Sequence, residues 1–600
     1  MSHDDDTTTP FARFFRDHGF RLAIACAVVL GLSTCLFGFF IDDYVHILSL
    51  EGRVPSTSTF DLFCFADGAP GGVAKLMGFL PFPWFTDLDV RLHFFRPLSS
   101  ATMALDLALF GRNPLPFHLH SMLWYVAFVA ISWKIFRRAL PAALAGLAIV
   151  LFALDFGHLF ATAWWSNRNA LVAAVPALAG FWAHLRWRED GWKPGLPLSL
   201  LGYATGLLGG EMALCVFGYV GAYELFGRRD PVPARLRALV PGALVGAAYL
   251  ILYKLGNYGT SGSGVYTDPV GEPLQYLINL PERILMLIAA QFFLVPVELP
   301  VGNTALYWPI IALCLLATGV MFLLIRDAWR DFDDATHRGL IWLCIGGLLS
   351  AAPVLSTFAS ARLLLIPSLG AIPLLAAVLL HLSAAHRTRA ARTAYYTLLL
   401  LHVVIAPLAW PALSLALGRL DATMRASILK SEFDEARASE QIVIVPVAPD
   451  PMMGMYTVIL REYVGLPRVG SWNALSMAQC AHRISRPTPN RLELELIDGE
   501  ILETVFERLM RNPADAFHVG ERIELPKFTV EILGLGKQGP NHIAFDFPGD
   551  LDQPPYTFLG WKEDRLAKIT PPAVGTSIDV PFDPGILKLK LLLTTPAPES

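Results

Sequence analysis

The chain has 600 residues, of which 54% are hydrophobic and only 16% charged, with a formal net charge of −4 and a mean hydropathy of +0.48. Soluble globular proteins carry about a quarter charged residues, so the composition excludes an ordinary soluble enzyme and predicts a chain that crosses a membrane several times. The small, dispersed negative charge gives no basic face for nucleic acid.

Seven cysteines show no CxxC pair and no metal-ligand spacing. Cys26, Cys35, Cys215, Cys314 and Cys344 fall within apolar runs as packing residues. Cys64 and Cys480 lie outside such runs, which leaves a disulfide between them open. There is no internal repeat and no long low-complexity tract.

Residues 1–20 form a short tail in which Arg13 and Arg16, with Arg21 at its border, favour a cytoplasmic N-terminus. The first apolar run, RLAIACAVVLGLSTCLFGFFI (21–41), is too long for a signal-peptide core and no small-residue cleavage site follows it. It is expected to be an uncleaved first span. It ends in FGFFIDDYVHI, where Asp42 and Asp43 stand side by side. They are either the first wet residues after the span or groups that do chemistry at the membrane surface.

The loop over 42–115 also holds His46, Asp61, Asp67, Asp87, Asp89, His93 and Arg96. A carboxylate at the end of a span can act as a general base toward an acceptor hydroxyl or amine. An adjacent apolar segment and a neighbouring negative charge both raise its pKa. Within this loop RPLSSATMALDLALFG (96–111) is expected to be an amphipathic helix lying on the surface, with Asp106 inside its apolar pattern.

Eleven spans are predicted, at 21–41, 116–136, 140–155, 169–185, 195–209, 211–226, 236–253, 305–325, 339–356, 363–383 and 395–417. The turns then assigned to the cytoplasm are Arg137-Arg138, RWREDGWK (186–193), GRRDPVPARLR (227–237), RDAWRDFDDATHR (326–338) and HRTRAAR (386–392), all rich in Lys and Arg. ILMLIAAQFFLVPVELP (284–300) is taken as a re-entrant or interfacial helix, because a twelfth span would invert this pattern. Three charged residues fall at the outer face in this scheme. Glu211 lies between two short apolar halves, at a cost that calls for a cavity or partner. Arg168 stands beside Trp164 and Trp165, and suits a phosphate or an interfacial anchor. Arg362 starts a span, as a phosphate ligand or as a snorkelling arginine.

After Leu417 charged residues become frequent. Alternating runs at QIVIVPV (441–447), RLELELI (491–497), ERIELPKFTVEIL (521–533) and HIAFDF (542–547) predict strands, and MMGMYTVILREYVG (452–465) a helix. Residues 418–600 are therefore expected to form a mainly-β domain, placed outside the cytoplasm by the odd number of spans. The fold class is an all-α polytopic membrane domain over 21–417 followed by this β domain.

The order of IDDYVHI, FFRPLSSATMALDLALFGRNPLPFHLHSMLWY, ATAWWSNRNALVAAVPALAGFWA, GGEMALCVFGYVGAYELF and ASARLLLIPSLG resembles that of GT-C glycosyltransferases. The likeness is to the protein O-mannosyltransferase-like branch, with the transmembrane and tetratricopeptide mannosyltransferases and their bacterial relatives. Aminoarabinose and other family-39-type transferases are more distant. The resemblance covers about residues 20–415 and rests on segment order rather than on one specific motif. It implies a polyprenyl-phosphate sugar donor, an inverting transfer, and an active site between the outer loops and the bilayer. The family's acidic pair falls on Asp42 and Asp43, with Asp42 in the position of the catalytic base. Its arginine and histidine positions match Arg96 and His118, and its later arginines match Arg168 and Arg362. A Lys-Glu pair of the branch appears here as Gly210-Glu211, so another cation must replace the lysine.

The resulting expectation is a multi-pass enzyme of the cell (plasma or inner) membrane. Asp42 deprotonates an extracytoplasmic acceptor, Arg96, Arg168 or Arg362 holds the donor phosphate, and His93, His118 and Glu211 support them. Any divalent metal would sit on Asp43. Asp42 is expected in a cavity beneath the first outer loop, lined also by Glu211 and at least one of the three arginines. The partners are membrane lipid, the lipid-linked sugar and an acceptor that is protein, lipid or glycan. The alternatives are a non-catalytic envelope-assembly scaffold of the same fold, or a transporter.

Overall fold

The computed structural model describes residues 10–54, 58–77, 80, 82–302, 304–383 and 388–587. Most of the expected tail (1–9), residues 386–387 of the last basic turn and residues 588–600 of the expected β domain lie outside the described residues.

Among the described residues, eight helices are long and apolar enough to cross a bilayer: Pro10–Leu36, Pro114–Ala139, Trp165–Asp190, Val232–Leu255, Pro273–Phe293, Tyr307–Asp331, Asp334–Ser356 and Arg389–Leu429. A ninth results if Ala142–Leu154 and Phe156–Ala163, bent by 50°, form one span. The chain is thus a multi-pass membrane protein, but the expected eleven spans are corrected to eight or nine. The apolar stretches at 195–209 and 363–383 form helices of 15 residues, Gly195–Gly209 and Ser368–Leu382. At 1.5 Å per residue these reach about 22 Å, short of a hydrocarbon core of about 30 Å. The stretch at 211–226 is broken into a 3-10 turn (Glu211–Leu214), a helix (Cys215–Ala222) and a π turn (Tyr223–Gly227). The bend after Leu154 is built by Asp155, which accepts from Gly157 N at 2.8 Å and from Gln291 Nε2 at 2.6 Å. Residues 284–293, expected in a re-entrant helix, are the second half of Pro273–Phe293, itself of spanning length.

The helices are built for lipid. Val232–Leu255 exposes Leu236, Val240, Leu244, Leu250 and Ile251 while burying Ala238, Gly242 and Gly246. Large apolar side chains outward and small ones inward let helix backbones approach closely, the usual packing in a bilayer. One close approach joins Asn169–Asp190 to Gly195–Gly209, where a Cβ on Gly202 would lie 2.6 Å from Gly180 Cα.

Ion pairs gather the predicted basic turns at one end of the bundle. Arg138 pairs with Glu189 and Asp190, each at 2.6 Å. Arg188 pairs with Glu224 and Asp230, each at 2.7 Å. The backbones of Gly339 and Ala139 touch at the same end, and so do those of Phe15 and Gly146. The first helix therefore starts at the basic end and carries Asp42 to the opposite one.

Three sheets follow or link the helices. The strands Cys64–Asp67, Arg91–His93 and Gly259–Ser261 join two loops into an antiparallel sheet. A six-stranded antiparallel sheet runs in the order Ser577–Val580, Ala481–Thr488, Arg491–Ile497, Pro540–Asp546, Thr529–Leu535, Arg522–Glu524. In its strand Arg491–Ile497, Leu492, Leu494 and Leu496 are buried and the residues between them face outward, the alternation expected of one covered face. A four-stranded sheet is ordered Arg565–Lys568, Tyr556–Lys562, Ile442–Val445, Ser471–Ala474. Its parallel pair Ile442–Val445 and Ser471–Ala474 is bridged by the helix Pro451–Tyr463, because parallel neighbours need a crossover. The last membrane helix continues past Leu417 to Leu429.

The mainly-β region docks on the loops through hydrogen bonds. Trp84 Nε1 donates to Leu475 O at 2.7 Å, Asp87 N to Met510 O at 3.0 Å and Asn512 N to Gly262 O at 2.8 Å. One consequence of the tight helix crossing is testable by thermal unfolding in detergent. Gly202→Leu is expected to destabilise the protein by about 1–3 kcal/mol or more through overpacking. Gly221→Ala, where a Cβ meets nothing within 4 Å, is expected to leave the melting temperature unchanged.

Candidate functional site

The first helix gives way after Leu36 to a turn in which Gly38 adopts φ +76°, a conformation glycine reaches without a Cβ penalty. His118 Nε2 donates to Gly38 O at 2.9 Å and pins this turn. Ile41 then takes φ 35° as the residue before the helix Asp42–Leu50. A β-branched residue there is a genuine outlier, the kind of strain that clusters at functional sites. The turn places Asp42 and Asp43 in the first turn of that helix, where the backbone dipole favours negative charge.

The two carboxylates then part. Asp43 is fully buried and accepts three hydrogen bonds: Ser166 N at 2.8 Å, Ser166 Oγ, and Phe40 N at 3.0 Å. It clamps the exit of the first span to the turn Trp165–Arg168. Burial raises its carboxyl to about 7, against the pull of its Ser166 and Phe40 donors. Asp42 is only partly buried and faces the mainly-β region, where Tyr456 OH donates to its Oδ1 at 2.8 Å. Burial raises its carboxyl above the usual range, opposed by the Tyr456 hydrogen bond and by the charge of Arg362.

Asp42 lines a cavity of about 130 Å³ whose other walls include Phe65, Phe82, Phe94, Tyr266, Met455 and Tyr456. A larger cavity of about 350 Å³ shares Leu80, Phe82 and Met455 with it and also holds Trp84, Trp472 and Arg468. The expected cavity is present, but its lining differs from expectation. Neither Glu211 nor any of the three arginines forms its wall.

Each arginine has a distinct setting. Arg168 is 1% exposed and pairs with Asp106, also 1% exposed, at 2.6 Å. Asp106 further accepts from Trp165 Nε1 at 3.0 Å and from His120 Nδ1 at 2.7 Å. Trp124 donates to His120 Nε2 at 3.0 Å, which assigns the neutral ring's proton to Nδ1. Arg96 packs on Phe63 and Phe94, and its Nε donates to Glu211 Oε2 at 2.8 Å. Tyr253 OH donates to the other oxygen of Glu211 at 3.0 Å. Gly210, at φ +148°, would carry a Cβ only 3.3 Å from Arg96 Cγ, so Arg96 fills the space beside Gly210. Arg362 lies against Phe358, is partly exposed, and makes no side-chain hydrogen bond or ion pair among the described residues.

His93 falls outside this cluster. Leu92 and Phe94 line the Asp42 cavity, and alternation along a strand turns His93 to the other face, where its Nε2 lies 3.0 Å from both oxygens of Asp61. The Asp43 oxygens, expected to serve any metal, are engaged by protein donors. Sequence reasoning missed Tyr456 on Asp42, Ser166 on Asp43 and Asp106 on Arg168, since each partner lies far along the chain and carries no motif.

The Asp43 clamp predicts a pH dependence. With a folded pKa of about 7 against an ordinary 3.8, the folded chain binds a proton that the unfolded chain releases. This contribution to stability is fully present below 3.8 and is lost as pH rises through about 7. Melting temperature scanned over that window is expected to fall with pH in the native protein. That component is expected to vanish in Asp43→Asn. In Ser166→Ala it should extend to higher pH, because one donor to the carboxylate is lost.

A scan against protein-family models finds none that matches the chain, and a search of curated proteins finds no match either.

Proposed function

We propose that the protein is an integral-membrane glycosyltransferase that moves a sugar from a polyprenyl-phosphate donor to an acceptor, with inversion and with Asp42 as general base. The observation that carries this reading is the placement of Asp42. It is a carboxylate with a raised pKa, held by Tyr456 in an apolar cavity at the end of a membrane helix, with the charge of Arg362 acting on it. A base tuned upward toward working pH is what proton abstraction from a hydroxyl requires. Apolar walls exclude bulk water and strengthen the charge interactions within.

The three arginines divide the remaining work. Arg362, unpaired among the described residues, is the first choice for the donor phosphate. Arg96, already balanced by Glu211, stands where the lysine of the resembling branch is missing and acts beside it. Arg168, sealed against Asp106, positions the Trp165–Arg168 turn rather than binding substrate. Asp42 takes the acceptor's proton, the acceptor oxygen or nitrogen bonds to the anomeric carbon, and the lipid phosphate leaves with the electrons of the broken bond. The cavity of about 350 Å³ beside Asp42 offers the acceptor its approach. The clustering of basic turns at the opposite end of the bundle supports an extracytoplasmic site under the positive-inside rule.

The test is transfer from a polyprenyl-phosphate sugar by the protein in lipid nanodiscs. Asp42→Asn is expected to lower kcat by at least about 10²–10⁴-fold without lowering the melting temperature. Full activity in that variant would remove Asp42 as the base, and an absence of transfer in the native protein with every acceptor class would favour a scaffold. Tyr456→Phe and Arg362→Gln each remove an influence that lowers the Asp42 pKa. Both are expected to move the acid limb of kcat/KM upward, by about one to two pH units for a lost hydrogen bond to a charge.

A further inference from the structure

We infer that the loop sheet carries a transition-metal site formed by Asp61, Cys64 and His93, of the kind that takes Zn²⁺. These three are the only group of three His, Cys, Asp or Glu donors among the described residues whose ligand atoms all lie within 4.8 Å of one another. The inference does not rest on the transferase reading.

Strand pairing builds the site. Cys64 is the direct partner of His93 across the antiparallel strands Cys64–Asp67 and Arg91–His93, and directly opposed residues share a face with Cβ atoms about 4.5–5.5 Å apart. The register shifts between Cys64 and Ala66. Irregularities of this kind re-aim a side chain at a strand's end. Asp61, three residues earlier, is brought back over the pair by a turn in which its N–H bonds to Ser58 O. Its carboxylate meets His93 Nε2 at 3.0 Å through both oxygens. Two ligand atoms each about 2 Å from one ion at a tetrahedral angle lie about 3.3 Å apart. The Asp61–His93 pair therefore needs a shift of only a few tenths of an ångström to admit the ion, and the Cys64 sulfur lies within 4.8 Å of both.

The donor set selects the metal. A thiol, an imidazole and a carboxylate suit Zn²⁺ and similar borderline cations, whereas Ca²⁺ and Mg²⁺ demand mostly oxygen. On binding, the Cys64 thiol proton leaves to solvent, the His93 Nε2 proton that faced Asp61 is also given up to solvent as the neutral ring takes its proton on Nδ1, and the His93–Asp61 contact is exchanged for two bonds to the metal. Three protein ligands leave a fourth position for water. Exposures of 34% for the Asp61 side chain and 12% for His93 leave a route in. The Tyr258 ring, 4.4 Å from that of His93, packs on the imidazole. All seven cysteines are free thiols, so Cys64 is not withdrawn into a disulfide. The ion would brace the strand that leads within three residues to Arg96.

The test uses the untagged full-length protein in nanodiscs, stripped with a chelator and titrated with Co²⁺ as a spectroscopic probe and with Zn²⁺. The expected result is one equivalent bound, with a near-ultraviolet thiolate-to-cobalt band that Zn²⁺ displaces and that Cys64→Ser abolishes. Asp61→Asn, which preserves shape, should weaken binding by at least about tenfold, the lower bound for even an outer-shell loss. Should Cys64→Ser fail to fold, maleimide labelling of the native protein read by mass spectrometry decides, since Zn²⁺ should protect Cys64 from alkylation. Absence of a thiolate band together with unprotected Cys64 at saturating Zn²⁺ would overturn the site, as would a band that persists in Cys64→Ser.

Discussion

The three hydrogen bonds to Asp43 are the constraint on which the site depends. A carboxylate buried without donors would cost several kcal/mol, so the chain between the first span and the helix Asp42–Leu50 is held where Ser166 and Phe40 can reach it. That fixes the tight turn at Gly38, the strained Ile41 and the direction of the helix that follows. With Asp43 turned inward, Asp42 is turned toward the cavity and Tyr456. One acidic residue is structural, and its neighbour is left free for the base role proposed for it.

The mainly-β region follows from the same placement. Its helix Pro451–Tyr463 supplies the hydroxyl on Asp42, and the ring of Tyr463 meets that of Tyr44 at 4.5 Å. Tyr44 OH in turn bonds Asp421, near the end of the last membrane helix. The site is therefore assembled from the first membrane helix's exit, the last membrane helix's extension and the region beyond it. Among the described residues Arg168 pairs with Asp106 and Arg96 with Glu211, whereas Arg362, whose charge acts on Asp42, makes no ion pair.

Much of the architecture was legible in the residues. Period-two alternation located strands at 441–447, 491–497, 521–533 (two strands, Arg522–Glu524 and Thr529–Leu535) and 542–547, and the helix expected at 452–465 is Pro451–Tyr463. The span count was not legible, because apolar content does not report where a helix breaks. The breaks come from the φ of Gly210 and from Asp155 reaching Gln291 across the fold. The acidic pair was visible as a pair, but its division of labour was not, since Tyr456 lies 414 residues from Asp42 and Ser166 123 from Asp43. The Asp61–Cys64–His93 group was hidden for the same reason: its third member arrives on a neighbouring strand, outside any local spacing rule.

The central claim is that Asp42 and Arg362 face one reacting centre at the membrane surface. The most direct measurement is a cryo-EM structure of the protein in nanodiscs with a short-chain polyprenyl-phosphate sugar whose anomeric bond resists transfer. Phosphate density is expected within hydrogen-bond reach of the Arg362 guanidinium, with the sugar's anomeric carbon facing the Asp42 cavity and the polyprenyl chain running into lipid. Donor density at another part of the bundle, with the Asp42 cavity closed to it, would contradict a reacting centre shared by Asp42 and Arg362.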